Sequence, residues 1–487
     1  MEKNIKNFKN LTAISIIEKI KTKQISCKEL VEYYISRIEK FKHKNAVLEI
    51  FDDAIENAKK VDELVKNNSN LPPLIGVPIL IKDNILYKGK ICSCGSKFMK
   101  NYKAQYSATV LEKLLNAGVI ILGRTNMDEF AMGESCENSA FGPCLNAFED
   151  ARVSGGSSGG SAVAVALDMC AFALGSDTGG SLRQPASFNG LVGIKPTYGR
   201  VSRYGICAYA SSFDQVSPIT KTVEDSALIL NIIAGKDKKD ETSLSNEVPN
   251  YLSFLKNNIK KDLKSLRVGI IKETKSLIEK SDYKNKYESI LEFFKNQGAE
   301  IKEFSVPFYE LCLPVYYTLS CAEAASNLGR FDGVKYTARS ENVDDLDSVF
   351  INSRTENFGK EVKRRIMFGN FVLSSDFYDM YYIKAMRIRK ILKNQFKEIF
   401  EKCDVIISPT TFGEAFKLGE KTLNPVEMYL EDMFTPIANI IGNPAISVPF
   451  GTGKNGLPLG LQFLADNLNE TSLYNISNYF VKHYKEN

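Results

Sequence analysis

The chain has 487 residues, 44% of them hydrophobic, and Lys plus Arg exceed Asp plus Glu by only five. That length buries a large core, as one big α/β domain or two ordinary ones, and so small a charge excess argues against a nucleic-acid or membrane field. The ten cysteines are scattered rather than densely spaced as in a secreted disulfide frame, and Met1 to Asn10 is polar.

No apolar run approaches the ~18 residues of a membrane span, so a cytoplasmic chain with reduced thiols and no membrane contact is expected. Ser26-Cys27-Lys28-Glu29 reads as a capping box, followed at helical spacing by Leu30, Val31, Tyr34, Ile35 and Ile38. With the segment from Ile14 to Ile20 it predicts a helical N-terminal arm over residues 1–70. Leu48 to Phe51 reads as a strand, Ala54 to Val65 as a charged helix, and Leu74 to Lys82 as a buried strand ending in a lysine. A helix over Val110 to Asn116, a stop at Ala117-Gly118 and a strand at Val119 to Gly123 complete a strand–helix–strand order that argues a wound α/β sheet.

From Ser154 to Tyr204 the composition changes to glycine- and serine-rich turns alternating with apolar segments. A small-residue helix is predicted after Ser161, running to about Leu167, and a strand from Cys170 to Ser176, with ordinary patterning again over Val216 to Ile233. Residues 235–264 are polar and read as a surface segment. Leu266 to Ile271 opens a β-α-β unit with a helix over Lys284 to Lys295, Gly298 as its cap and a strand at Glu300 to Phe304. Residues 375–402 read as one amphipathic helix with a solvated basic face of Lys384, Arg387, Arg389, Lys390 and Lys393. Val405 to Ile407, Ala445 to Phe450 and Gly460 to Leu464 are further predicted strands.

Only two histidines occur, His43 and His483, both expected to face solvent. Gly155-Gly156-Ser157-Ser158-Gly159 matches the G-x-S-x-G form, yet the Asp/Glu and His that form needs downstream are reduced to a terminal His483. No glycine-rich turn leads into Gly-Lys-Ser/Thr, which removes a phosphate loop. Cys92-Ser93-Cys94 is the only close cysteine pair, and two histidines do not complete an ordinary zinc site around it. A base other than histidine is needed, and Lys82 closes an apolar strand. To be neutral near pH 7 a lysine must fall from its ordinary ~10.4, against roughly 4.6 kcal/mol, which burial behind Ile79, Leu80 and Ile81 can supply. The plain alternative is a strand-end lysine reaching water.

Asp177-Thr178-Gly179-Gly180-Ser181 places two glycines before a serine at a strand-to-helix junction. Successive amides there can form an anion nest, and a helix from Leu182 adds the favourable end of its dipole. A serine so placed attacks a carbonyl whose oxygen meets ready-made donors. Ser157 would relay protons between Ser181 and Lys82, and Arg183 would brace the turn by pairing with Asp177. For any one of these turns, ordinary turn chemistry explains the serines equally well.

Three motifs together, Gly155 to Ala162, Gly175 to Arg183 and Gly193-Ile194-Lys195-Pro196-Thr197, resemble the amidase signature family. The resemblance implies an α/β fold with a large mixed central β-sheet covered by helices on both faces, as one domain over 71–487 with the arm packed on it. It implies a Ser–cis-Ser–Lys triad, with Ser181 as nucleophile, Ser157 as the serine with the unusual peptide bond and Lys82 as base. The amides of Thr178, Gly179, Gly180 and Ser181 would line the oxyanion hole.

Further stretches, Gly123 to Gly133, Ser211 to Gln215, Asn327 to Gly333 and Gly359 to Ile366, are similar to the glutaminase subunits of tRNA-dependent amidotransferases within that family. That likeness implies that Tyr316, Arg365 and Asp432 grip free glutamine, with Tyr317 and Arg364 offering the same groups one residue away. It implies ammonia delivery to a partner that converts Glu-tRNA(Gln) to Gln-tRNA(Gln), and leaves open Asp-tRNA(Asn) as an acceptor instead or as well. The assembly would be a heterotrimer with a tRNA-binding B subunit, which carries kinase and transamidase chemistry, and a small C subunit. No cofactor or metal is expected in this chain, with ATP and Mg²⁺ on the partner. The rivals are a stand-alone amidase on another small amide and a scaffold subunit without catalysis.

Overall fold

Eleven strands make one mixed sheet in the computed structural model, which describes residues 8–68, 70–257, 262–421 and 425–485. They are β1 (Val47–Ile50), β2 (Pro78–Lys82), β3 (Ile120–Thr125), β4 (Phe172–Asp177), β5 (Val192–Lys195), β6 (Gln215–Thr220), β7 (Arg267–Ile271), β8 (Glu300–Phe304), β9 (Val405–Pro409), β10 (Ala445–Thr452) and β11 (Pro458–Leu464). Their order is β1-β3-β2-β4-β6-β5-β10-β11-β9-β7-β8. β2 runs parallel to both β3 and β4, and β7 parallel to β8 and β9; the other pairs are antiparallel.

Alternation along the strands feeds two cores, one on each face. Val405 and Ile407 of β9 join one cluster while Ile406 joins the other; in β11, Leu459, Leu461 and Phe463 part from Leu464 in the same way. Both faces are therefore covered, as the large mixed α/β sheet requires.

The strand–helix–strand reading around β2 and β3 holds, with the helix Thr109–Asn116 between two parallel strands. So does the unit at β7 and β8, with the helix Lys284–Asn296. Pro78 starts β2 and all five of its residues are buried. Lys82 thus lies at the carboxyl end of a central strand with parallel neighbours on both sides, the position where open α/β sheets form their crevices.

Some expectations change in detail. Ser26 caps the helix Cys27–Lys40 by accepting from the Glu29 amide at 3.4 Å, but the reciprocal half of a capping box is replaced by Asp62. Its carboxylate accepts from the Cys27 and Lys28 amides at 2.7 and 3.0 Å and from Ser26 Oγ at 2.9 Å. The first seventy residues are also more than a helical arm, because β1 pairs antiparallel with β3 and supplies an edge strand. Residues 1–7 lie outside the described residues.

The small-residue helix begins at Gly159 rather than after Ser161. The polar stretch 235–264, read as a surface segment, is anchored to the core: Asp237 accepts from Thr109 Oγ1 and Ser202 Oγ, both at 2.6 Å, and Tyr251–Asn257 is a helix. Positions 258–261 of that stretch lie outside the described residues. The 375–402 helix starts with a π-helical segment, Tyr378–Ile383, before Lys384–Phe400. Its Arg389 departs from the solvated face, bonding Ile440 O at 2.9 Å and Ser212 and lying over the Phe213 ring.

Candidate active site

The Lys82 amine is fully buried and meets three hydroxyls: Ser157 Oγ at 2.7 Å, Ser158 Oγ at 2.8 Å and Ser176 Oγ at 2.9 Å. Burial draws its pKa down from 10.5 to about 7, against the opposing pull of Asp128. Ser158 donates its own proton to Ser176 O at 3.0 Å, so its oxygen accepts from the lysine. Ser176 Oγ also accepts from Asn84 Nδ2 at 3.2 Å.

Ser157 follows a cis peptide bond from Gly156. Only glycine fits before it, because a Cβ on Gly156 would stand 2.1 Å from Asp128 Oδ2 and 2.7 Å from the Ser135 amide nitrogen. Gly156 N donates to Gln184 Oε1 at 2.9 Å, fixing the loop from the side of the helix Arg183–Phe188. Asp128 is itself buried and accepts from the Cys136 and Asn138 amides at 2.9 and 3.1 Å; burial raises it to about 7.

The second turn is held by Asp177 at the end of β4. Its carboxylate takes Arg183 through two nitrogens at 2.9 and 3.0 Å and the Gly180 amide at 2.9 Å. Arg183 is fully buried and also donates to Thr435 O, Gln462 Oε1 and Asn439 Oδ1. Burial alone would raise the Asp177 carboxyl, but Arg183 outweighs it and holds it at about 2. Of the four oxyanion-hole amides that the resemblance implied, one is engaged elsewhere. Gly180 N–H is committed to Asp177, and among the described residues the amides of Thr178, Gly179 and Ser181 carry no hydrogen bond. Gly180 has φ +132°, and a Cβ there would stand 2.2 Å from Thr435 Oγ1.

Ser181 is half-buried beside fully buried neighbours. Its carbonyl accepts from the Ser158 amide at 3.0 Å, which locks the two turns together. A direct hydrogen bond between the Ser157 and Ser181 hydroxyls is not made. The structure brings Ser181 to the Lys82–Ser157 pair through the backbone, with the hydroxyl left unengaged among the described residues.

A second cluster flanks this turn. Tyr316 lies so close over Gly179 that a Cβ there would stand 2.4 Å from its hydroxyl. Arg365, 3% exposed, donates to Glu361 Oε1 at 2.8 Å, Tyr209 OH at 2.9 Å and Glu134 Oε1 at 3.1 Å, and its guanidinium lies over the rings of Tyr209, Tyr317 and Tyr429. Arg364 is 37% exposed and pairs with Glu361 at the rim. Tyr317 OH donates within reach of both Glu134 Oε1, at 2.6 Å, and Asp432 Oδ2, at 3.1 Å. Burial and the neighbouring Glu134 charge push Asp432 well above the carboxylate range, and burial raises Glu134 against the pull of Arg365. Glu134 Oε2 is buried without a partner among the described residues. Sequence reasoning missed Ser158, Ser176, Glu134, Tyr209, Glu361 and Tyr429.

Fold and site define a class: a lysine amine buried against serine hydroxyls, at the carboxyl end of a mixed sheet, is the equipment of an amidase-signature enzyme. The sequence matches the Amidase family over residues 29–474, and the chain belongs to that family. Among its relatives is the A subunit of the glutamyl-tRNA(Gln) amidotransferase of Caldanaerobacter subterraneus subsp. tengcongensis, 49% identical and aligned over 98% of this chain and 97% of that one. The protein of the same name from Thermoanaerobacter pseudethanolicus is 48% identical over 98% and 97%. The crystal structure of the corresponding A subunit from Thermotoga maritima superposes with a TM-score of 0.80 at 36% identity, over 99% of this chain and 96% of that one. The peptide amidase of Stenotrophomonas maltophilia also superposes at 0.80, with 25% identity and 98% coverage of each. Among the described residues no helix is long and apolar enough to cross a membrane.

Proposed function

We propose that the chain hydrolyses glutamine as the A subunit of a tRNA-dependent amidotransferase. The observation that carries the reading is the Lys82 amine, buried and ringed by three serine hydroxyls. A neutral amine has two N–H groups and one lone pair. In this reading Ser158 and Ser176 take its two N–H groups, which leaves the lone pair for the Ser157 hydroxyl and points the base along the relay toward Ser181. Ser181 Oγ attacks the γ-amide carbon, and its proton passes through Ser157 toward Lys82. The developing oxyanion is met by the amides of Thr178, Gly179 and Ser181, and the same relay returns the proton to the leaving nitrogen. Ammonia departs, and water then cleaves the γ-glutamyl ester by the reverse proton path.

Glutamine selection falls to the second cluster. Arg365 uses one hydrogen on each nitrogen for Glu361, Tyr209 and Glu134, leaving two of its five for an α-carboxylate. Asp432 and the unpaired Glu134 oxygen suit an α-ammonium, whose arrival would relieve two buried carboxyls of their mutual repulsion. Tyr316, against Gly179, would set the side chain between this clamp and the nucleophile. The name shared by the relatives supports Glu-tRNA(Gln) as the acceptor of the ammonia. In this reading a B subunit binds the tRNA and uses ATP with Mg²⁺, and a small C subunit completes a heterotrimer in the cytoplasm.

Trapping with an electrophilic glutamine analogue tests the reading. A covalent adduct on Ser181, lost in Ser181→Ala and weakened in Arg365→Ala and Asp432→Ala, is expected. Glutamine turnover that survives both clamp changes would leave a stand-alone amidase instead.

A further inference from the structure

Immediately after Lys82 the chain enters a second cluster that the glutaminase reading does not use. Cys92, Cys94 and Cys207 converge there, with all three sulfurs within 4.8 Å of one another. Cys92 Sγ and Cys207 Sγ stand 3.8 Å apart, although 115 residues separate them in sequence. Three backbone ties hold the trio to the segment following the lysine. Cys94 N donates to Asp83 O at 3.0 Å, Cys207 N donates to Asn84 O at 2.9 Å, and Ile85 bridges Ile206. Cys92 Sγ also lies 3.1 Å from Asp83 O.

The Asp83 side chain is occupied elsewhere. It accepts from the Ser93 and Gly95 amides, both at 3.0 Å, and from Arg124 at 2.8 Å, so it shapes the cysteine turn and leaves its own charge balanced. Cys94 sits in the left-handed region at φ +54°, which turns its side chain out of the strand-like path of its neighbours. Cys92 and Cys94 are buried while Cys207 is half-buried.

Distance decides what this cluster fits. Sulfurs sharing an ion at ~2.3 Å lie roughly 3.8 to 4.0 Å from each other, by the trigonal or tetrahedral angle. One pair already has that separation, and the third sulfur needs a shift of about 1 Å or less. A disulfide, at ~2.05 Å, would use two of the sulfurs and leave the third. Binding a soft metal there would release the thiol protons.

We infer that Cys92, Cys94 and Cys207 form a binding site for a soft thiophilic cation. Three sulfurs alone suit copper(I) in trigonal form; zinc would take a water as its fourth ligand. The bound ion would cross-link the 92–94 turn and the 206–207 segment to the residues directly following Lys82.

The test uses the full chain, prepared without air in a non-thiol reductant and titrated with Zn²⁺ and with copper(I), each against a competing chelator. One equivalent of at least one ion should bind, with near-ultraviolet thiolate-to-metal absorption. Cys207→Ser, at the half-exposed position, and Cys92→Ser should each weaken binding by more than the ~10–100-fold that loss of an outer partner costs. Cys170→Ser, a buried cysteine outside the trio, should leave it unchanged. Amide exchange at Cys94 and Cys207 should slow on loading, which binding at any other thiol would not produce. Preference for copper(I), for zinc or for both supports the site and tells which geometry it takes. Failure of both ions to bind, equal binding by metal-free Cys207→Ser that melts like the parent, or protection at other amides would overturn it.

Discussion

The sharpest prediction concerns how glutamine hydrolysis depends on pH. With Lys82 at about 7, moving from about pH 6 to about pH 8 takes its neutral fraction from about 9% to about 91%, a tenfold gain in the competent base. The acylation rate should therefore rise roughly tenfold over that interval and fall about tenfold for each pH unit below it. Asp128 titrates in the same range and, when charged, raises Lys82. Its ionisation thus opposes that of the lysine, and the curve should be broader than one ionisation. Asp128→Asn removes the anion and should move the acid limb to lower pH. Lys82→Ala should lose the ~10²–10⁴-fold of a general base and flatten the profile. Ammonia release at saturating glutamine, measured across this range for the three proteins, is the assay. A midpoint near 10 in the parent, or an unmoved limb in Asp128→Asn, would refute the buried-base reasoning.

Gly156→Ala forces a Cβ to 2.1 Å from Asp128 Oδ2; activity should vanish and thermal unfolding should show a loss of about 1–3 kcal/mol or more. Arg183→Met strands the Asp177 carboxylate in a fully buried place, so urea unfolding should report a loss of about 3–5 kcal/mol. Arg365→Lys keeps the charge but not the fork, and steady-state assays should show KM for glutamine rising more than kcat falls. Lys195→Met should keep glutaminase activity. Lys195 is held at about 7 by burial and the nearby Arg183, at a cost to folding of about 5 kcal/mol. That cost is full below about pH 7 and fades as pH rises toward 10.5, so any stability gained by the variant should be larger at neutral than at alkaline pH.

Much of this arrangement was legible because chain-local signals mark it. The apolar run into Lys82 and the two glycine-serine turns are periodicity and turn chemistry, and both survive folding. What the sequence could not display were partners joined only by the sheet. Ser176 reaches Lys82 across 94 positions, and Glu134 reaches Arg365 across 231. Polar residues at such separations carry no period that singles them out. The choice between Arg364 and Arg365 was decidable, however. In the helix Lys360–Leu373 the buried positions Val362, Ile366 and Gly369 define the inner face, and Arg365 lies three residues from the first of them. Arg364, two residues from Val362, turns to the rim.

In the proposed mechanism Lys82 is the base and Lys195 is not, although burial acts alike on both. Both amines are fully buried, and both are drawn to about 7. They differ in what surrounds the nitrogen. Lys195 donates to Pro196 O at 2.9 Å, a carbonyl with no proton to give. Among the described residues that is the one hydrogen bond of its amine, so a lone pair there would face nothing that ionises. Lys82 stands at the end of β2 where β4 brings Ser176 and the first glycine turn brings Ser157 and Ser158. In the proposed mechanism two of those hydroxyls take its N–H groups, and the third, Ser157, surrenders a proton. The parallel strands on both sides of β2 supply the low-dielectric walls, and the turns supply the hydroxyls. A depressed pKa sets when the amine is free; the order of its hydrogen bonds sets which proton it takes.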